Sequence, residues 1–253
     1  MRINVITVNY NNCAGLIKTV ESVLGQSAFD SYIRYIIVDG GSIDGSNEYL
    51  ASVKDKLDVL IIEEDEGVYY AMQKGISHTL DGYIIFLNSG DYFYDNHVID
   101  SVISILLKSK VDLFYGTALY YNSRNKLIKW YPNDLSSAFY RIPASHQAIF
   151  VNSSLLKQYP LRKEDLRVAA DSDFIMYCES RKVNFSFEKD LIVSIIEPNG
   201  LSNTERLKSL VELYRCRNFH YPKKIAMNIL YSIYIATKII ISLIYRKLFS
   251  NIL

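Results

Sequence analysis

The residues best placed to do chemistry lie in one short run, Ile84-Ile85-Phe86-Leu87-Asn88-Ser89-Gly90-Asp91-Tyr92-Phe93. Four large apolar residues followed at once by small and polar ones read as a buried strand that ends abruptly. That puts Asn88, Gly90 and Asp91 beyond the carboxyl end of a strand, where open α/β sheets bind their ligands. Gly90 lets the backbone turn, and Asp91 then offers a hard carboxylate oxygen suited to a Mg2+ or Mn2+ ion that also grips a diphosphate. The same residues suit a plain strand-to-turn connection in which Asp91 satisfies neighbouring amides. Taken alone, the ten residues leave both readings open.

A carboxylate in that place needs a sheet to hold it, and the chain carries the pattern of one. Ile3 to Val8 reads as a first strand with Asn9-Tyr10-Asn11-Asn12 as its exit loop, and Leu16, Val20, Val23 and Leu24 then recur at helical spacing until Gly25. A second strand from Ile33 to Val38 runs out in Asp39-Gly40-Gly41-Ser42-Ile43-Asp44-Gly45-Ser46. A helix through about Ser52 and a third strand near Leu57 to Ile62 follow, and Glu66 to Gly75 opens the helix that leads to the central strand. This alternation predicts an α/β fold with a mostly parallel, Rossmann-like sheet flanked by helices.

Beyond Asp91 the spacing predicts a helix near Val98 to Lys108, a strand at Leu113 to Tyr115 and a hairpin from Tyr115 to Tyr131. The Pro-bounded loop from Pro132 to Pro143 and a strand from Gln147 to Val151 mark where a second substrate is received. A helix is expected over Asp171 to Ser180, a late strand over Leu191 to Ile196 and a turn at Pro198-Asn199-Gly200. A further helix over Ser202 to Phe219 is expected to expose Glu205, Arg206, Lys208 and Glu212.

At 253 residues, 49% hydrophobic and 22% charged, the chain has the make-up of a globular protein and not of a disordered or repetitive one. Its net charge of +1 hides a segregation. Lys223, Lys224, Lys238, Arg246 and Lys247 follow Pro222 with no acidic residue among them, leaving 23 basic against 27 acidic side chains before it. A near-neutral body argues against nucleic acid as a partner, whereas a basic, apolar tail suits an anionic membrane surface. Cys13, Cys178 and Cys216 are odd in number and lack metal-ligand spacing, which fits a reducing compartment. The apolar run after Arg2 is short and broken by Asn4, Thr7 and Asn9, unlike a signal peptide, so the body is expected in the cytoplasm.

On a helical wheel of the tail, Lys224, Asn228, Ser232, Lys238, Ser242 and Arg246 fall in one arc of about 120°, with Ile225, Ile229, Ile233, Ile239, Ile240 and Leu243 outside it. Such a helix suits the plane of a bilayer interface. Two alternatives stand beside that one: packing against the body or a second copy in a homo-oligomer, and a span across the bilayer over Met227 to Tyr245.

With these loops in view the chain resembles the inverting glycosyltransferases of family 2, which have the GT-A fold, in the branch that builds bacterial surface polysaccharides. The resembling segments are "VITVNYNN", "IIVDGGSIDGS", "EGVYYAMQKGI", "IIFLNSGDYF", "HQAIFV" and "AADSDF", in family order between about Met1 and Ile196. The resemblance implies a GT-A catalytic domain over 1–200, with acceptor-side elements from about 115, and a helical segment over 201–253.

It also implies roles. Val8 and Tyr10 would hold the nucleotide base through backbone and an aromatic face, and Asp39 would accept a hydrogen bond from a pyrimidine, so that a UDP-sugar is the favoured donor. Asp91 corresponds to the last carboxylate of the family's metal motif, with Asn88 and Gly90 in the places of earlier acids, so Mn2+ or Mg2+ would be held chiefly together with the donor. Asp171 corresponds to the catalytic base, with capping of its helix as the other reading, while Asp173 is expected to stabilise that helix start. His146 and Gln147 would lie near the diphosphate and acceptor. Trp130 could stack on a sugar or belong to the core. Tyr70 stands where relatives usually have Asp.

The function implied is metal-dependent transfer of a sugar, with inversion, from a nucleotide diphosphate to a lipid-linked or oligosaccharide acceptor at the cytoplasmic face of the inner membrane. A nucleotide-sugar-binding protein of the same fold whose chemistry has lapsed is the alternative, motivated by Asn88, Gly90 and Tyr70.

Overall fold

The computed structural model describes residues 1–122, 124–161, 166–197 and 206–249. The expected turn at Pro198-Asn199-Gly200, the start of the helix at 202–205 and Glu205 lie outside the described residues.

The strands are β1 (Arg2–Asn9), β2 (Ile33–Asp39), β3 (Val59–Ile62), β4 (Gly82–Phe86), β5 (Tyr92–Phe93), β6 (Leu113–Tyr121), β7 (Leu127–Trp130), β8 (Ile149–Asn152) and β9 (Phe185–Ile196). They form one sheet in the order β3-β2-β1-β4-β8-β6-β9-β5, with β7 paired to β6. From β3 to β4 the strands are parallel. The direction changes at β8, which runs antiparallel to both β4 and β6. Because β8 opposes β4, the residues leading into β8 lie beside the carboxyl end of β4, and that reversal builds the site.

The parallel strands are near-continuous apolar runs because helices cover both faces. On one face pack α1 (Cys13–Leu24), α3 (Ser46–Val53) and α5 (Val98–Ser109), with the short α2 (Phe29–Tyr32) leading into β2. On the other lie α4 (Val68–Ser77), α6 (Ser153–Gln158) and α7 (Ala170–Ser180). Two polar residues inside β1 find partners across the fold: Asn4 bonds Leu80 and Tyr83 carbonyls and the Leu80 N–H, and the Thr7 hydroxyl meets that of Tyr35 at 3.1 Å. At Gly75 a Cβ would come within 2.6 Å of Ile6 Cγ2, so only glycine lets α4 lie this close to β1.

Two expectations change in the second half. The late strand begins at Phe185, six residues before Leu191, because Phe185 and Phe187 alternate with Ser186 and Glu188 and stack on Tyr115 with ring centroids 6.2 and 5.7 Å apart. The charged run Glu188-Lys189-Asp190 hides this strand in the sequence. The expected strand from Gln147 starts at Ile149 instead, after a 3-10 turn over His146–Ala148.

Two further helices follow, α8 (Arg206–His220) and α9 (Ile225–Phe249). Glu212, expected on an exposed face, is 3% exposed and is bonded to the amides of residues 167–169, just before α7. The wheel of α9 is also turned relative to expectation. Asn228, placed on the solvent arc, is 1% exposed and donates to the Tyr214 carbonyl and Asn218 of α8. Lys224 stacks over the rings of Phe139 and Tyr221. The outward side carries Leu230 at 70% and Ile233 at 59% exposure, with Ile229, Tyr234, Ile240 and Ile241 also exposed. No helix among the described residues is long and apolar enough to cross a membrane.

Candidate active site

Three loops meet at the carboxyl ends of β1, β2 and β4. Tyr10 leaves β1 69% exposed, and its ring lies against Gly40, where an added Cβ would stand 3.2 Å from Cδ2. Close to the same position is Asp65, whose Oδ2 would be 2.9 Å from that Cβ and whose Oδ1 accepts the Gly67 N–H. Asp39 is fully buried and takes four hydrogen bonds, from the Gly41 and Ser42 N–H groups, the Ser42 hydroxyl and Asn9 Nδ2, at 2.7 to 3.0 Å. A carboxylate has about four lone-pair sites, so Asp39 as placed shapes the loop from within and presents no free oxygen to a ligand. Asp44 caps the start of α3, accepting from the Ser46 N–H and hydroxyl and from the Cys13 N–H, and these bonds hold its carboxyl below the ordinary value. The Val8 carbonyl accepts the Ser89 N–H at 3.0 Å, tying the first loop to the third.

The third loop, Asn88 to Asp91, is gripped by α1. Thr19 Oγ1 accepts the Gly90 N–H at 2.9 Å and donates to the Asp91 carbonyl at 2.7 Å, and Asn12 donates to the Ser89 carbonyl. Gly90 has φ +104°. Asp91 is buried, and its bonds are not the local ones a simple turn would make: Oδ2 accepts from Gln147 Nε2 at 2.9 Å and Oδ1 from the Glu197 N–H at 3.2 Å. Burial pushes its carboxyl up to about 6, against the lowering effect of Gln147, His146 and the Glu197 N–H.

Asp171 sits in the first turn of α7, its side chain 24% exposed. Oδ2 lies 3.6 Å from His146 Nδ1. Oδ1 accepts the Ser172 N–H at 2.7 Å and faces the Tyr69 hydroxyl at 3.3 Å. Burial pushes this carboxyl up, but His146, Ser172 and Tyr69 outweigh it and hold it below the ordinary value. Burial and the Asp171 carboxylate keep the Tyr69 phenol well above its usual value, so it remains a donor. Beneath Asp171 and His146 a cavity of about 40 Å³ is walled by apolar side chains, among them Phe86, Leu156 and Phe174.

The two carboxylates are brought together by one dipeptide: Gln147 holds Asp91, while His146 faces Asp171 and places Nε2 3.4 Å from Asn88 Nδ2. Trp130 is elsewhere in kind. It lies on β7 opposite Ala118, half exposed, and belongs to no buried core. Asp173 lies in the first turn of its helix and also reaches across the fold: Oδ1 meets His220 Nε2 at 2.8 Å and Oδ2 accepts the Tyr159 hydroxyl at 2.9 Å.

Sequence reasoning passed over Asp65, Tyr69, Glu197 and Glu212. Only Tyr69 lay in a motif; the others are common acidic residues whose partners are backbone N–H groups or distant in the chain.

For a divalent cation the donor set is sparse. No group of three or more His, Cys, Asp or Glu among the described residues could hold one. Asp91 supplies one hard oxygen, and Asn88 Oδ1 is buried with no donor among the described residues reaching it. Those two oxygens fit an ion whose remaining ligands are phosphates and water, and do not fit an ion held by protein alone.

A family model described as Glycosyl transferase family 2 matches residues 4–167. The chain is 30% identical over 187 residues to an uncharacterized glycosyltransferase of Mycobacterium tuberculosis, covering 69% of this chain and 67% of that protein. It is 28% identical over 211 residues to a PGL/p-HBAD biosynthesis glycosyltransferase of the same organism, covering 79% of each. Among solved structures, S. aureus TarS 1-349 in complex with UDP-GlcNAc superposes with a TM-score of 0.70 at 16% identity, over 91% of this chain and 67% of that one. The mannosyltransferase PcManGT of Pyrobaculum calidifontis, in complex with GDP-Man and Mn2+, superposes with a TM-score of 0.64 at 16% identity, over 89% and 64%. In the TarS 1-349 complex with UDP the chain spans 65% of its neighbour's length. These likenesses show the GT-A-like fold: a mixed sheet flanked by helices.

Proposed function

Since the chain belongs to glycosyl transferase family 2, we propose that it moves a sugar with inversion from a nucleoside diphosphate, a UDP-sugar by preference, to a hydroxyl of a lipid-linked or oligosaccharide acceptor. The observation that carries this reading is the convergence of Asp91 and Asp171 on the adjacent residues Gln147 and His146. In this reading Asp171 takes the proton of the acceptor hydroxyl as that oxygen attacks the anomeric carbon from the face opposite the diphosphate, whose bond to that carbon breaks. His146 keeps Asp171 ionised and oriented, and the apolar wall below them strengthens that interaction by excluding water.

Asp91 and Asn88 would hold Mn2+ or Mg2+ together with the donor, and the ion would supply charge to balance the leaving diphosphate. On the nucleotide side the base lies between Tyr10 and the Gly40 loop. Asp39 keeps that loop in shape, and Asp65 is the carboxylate nearer to open space.

The body over 1–200 is read as catalytic and 201–253 as a helical segment whose last helix, α9, lies on the membrane. The outward apolar side of α9, flanked by Lys223 and Lys238, motivates a seat on the cytoplasmic face of the inner membrane and a lipid-linked acceptor.

A thermal-shift screen of nucleotide sugars with and without Mn2+, followed by an assay of nucleotide release with candidate acceptors, tests the reading. Stabilisation by a UDP-sugar that grows with Mn2+, and nucleotide release that Asp171→Asn abolishes, is the expected result. Donor binding without turnover for any acceptor would favour the lapsed alternative, which the reduced donor set at Asn88, Gly90 and Asp91 motivates.

A further inference from the structure

We propose that Glu212 of α8 is a positioning residue for Asp171, which makes α8 part of the catalytic unit; this rests on the reading of Asp171 as the base.

Helix α7 begins at Ala170 with Ala169 before it, a residue whose side chain cannot cap a helix, and within its first turn Asp171 Oδ1 itself takes the Ser172 N–H. The missing acceptor comes from 43 or more residues downstream. Glu212 Oε2 accepts the Val168 and Ala169 N–H groups at 2.8 and 2.9 Å, and the Arg167 N–H lies 3.1 Å from Oε1 and 3.2 Å from Oε2. A buried carboxylate thus collects three consecutive backbone donors on the approach to the positive end of the helix that carries Asp171.

The segment is fixed from its other side too. The Val168 carbonyl lies 3.0 Å from the Tyr69 hydroxyl, the same hydroxyl that faces Asp171. Two residues past Asp171, Asp173 is bound to His220, the last residue of α8. Asp171 therefore stands between two attachments of α7 to one helix, and that helix lies beyond residue 167, where the family match ends.

The consequence is geometric. His146 is held by the loop before β8 and Asp171 by α8, so the 3.6 Å between them depends on where Glu212 holds residues 167–169. A displacement of about 1 Å at a reacting group can cost roughly a hundredfold in rate. A residue that only stabilised the fold would lower the melting temperature and leave the turnover of the folded fraction untouched.

The test uses the full chain with Glu212→Gln, which keeps the shape but puts an NH2 group where an acceptor stood. Three quantities are read: hydrogen exchange at the Arg167, Val168 and Ala169 amides, the Kd of the donor by thermal shift or titration, and kcat for transfer. Exchange at the three amides is expected to rise at least tenfold and kcat to fall roughly ten- to hundredfold, with donor Kd within about twofold. Glu212→Asp, which keeps the charge one methylene short, should recover part of both effects, and it takes the place of the glutamine variant if that one does not fold. A kcat within twofold of the unaltered protein despite faster exchange, or a loss of donor affinity as large as the loss of kcat, overturns the proposal. No transfer by the unaltered protein would instead sink the transferase reading, and the exchange measurement distinguishes the two failures.

Discussion

His146 Nδ1 and Asp171 Oδ2 stand 3.6 Å apart, too far for a hydrogen bond yet close enough for a protonated imidazole to stabilise the carboxylate. Removing the imidazole should let burial dominate. His146→Ala is expected to raise the carboxyl of Asp171 and to move the acid limb of kcat/KM upward from its position below the ordinary carboxylate value. In the unaltered protein this carboxyl is lowered, so its contribution to stability is present above the unfolded value and lost as pH falls through the folded one. The pH profile of the variant checks this, and an unmoved limb would contradict the pairing.

On the proposed reading, Asp171→Asn removes the base and keeps its shape. Turnover should fall about 10²- to 10⁴-fold with donor Kd changed by less than about twofold, because a base acts in the transition state. Single-turnover rates measured beside donor titration decide it, and equal losses in both would point to a binding role.

Asp91 has the opposite titration. Its folded value near 6 exceeds the ordinary 3.8, so the neutral form stabilises the ligand-free protein below pH 3.8, and that stabilisation, about 3 kcal/mol, is lost as pH rises through 6. A cation needs the ionised form, so Mn2+-dependent stabilisation by donor should be strong at pH 7.5 and weak at pH 5. Thermal shifts at the two pH values test the sign; equal shifts would remove Asp91 from the cation's ligands.

Gly90→Ala should impair the site and the fold together. Its φ of +104° disfavours a side chain, and the new methyl would stand 2.9 Å from Oε2 of Glu197, whose other oxygen, Oε1, pairs with Lys18 at 2.7 Å. A loss of about 1 to 3 kcal/mol in unfolding free energy is expected from denaturant titration.

The outward side of α9 is tested by a Leu230→Ser, Ile233→Ser double variant. Each apolar side chain moved out of water is worth about 1.5 to 3 kcal/mol, so sedimentation with anionic vesicles should weaken at least tenfold while transfer to a soluble acceptor is unchanged. If the unaltered protein ignores vesicles and sediments as a dimer that the variant disrupts, this side joins two copies.

The sequence reveals most where one element explains itself. The Ile84-to-Leu87 run and its abrupt polar end predict β4 and its ligand loop, and the apolar runs of β1 and β2 predict the parallel half of the sheet. Legibility fails where a side chain's partner is backbone or distant. Glu212 among charged neighbours reads as solvated, since the three N–H groups that compensate its burial carry no signature in residue type. Asp39 reads as a ligand carboxylate, yet the amides and Asn9 that saturate it are set by how two loops fold. The stripe of α9 is found correctly as a pattern, but a pattern does not say which side meets α8; Asn228 decides that by bonding Tyr214 and Asn218.

The adjacency of His146 and Gln147 means that the side chains facing Asp171 and Asp91 are carried by one short stretch of main chain. On the proposed reading, a shift of Gln147 with Asp91 would carry the neighbouring imidazole with it, so that a ligand at one carboxylate is felt at the other.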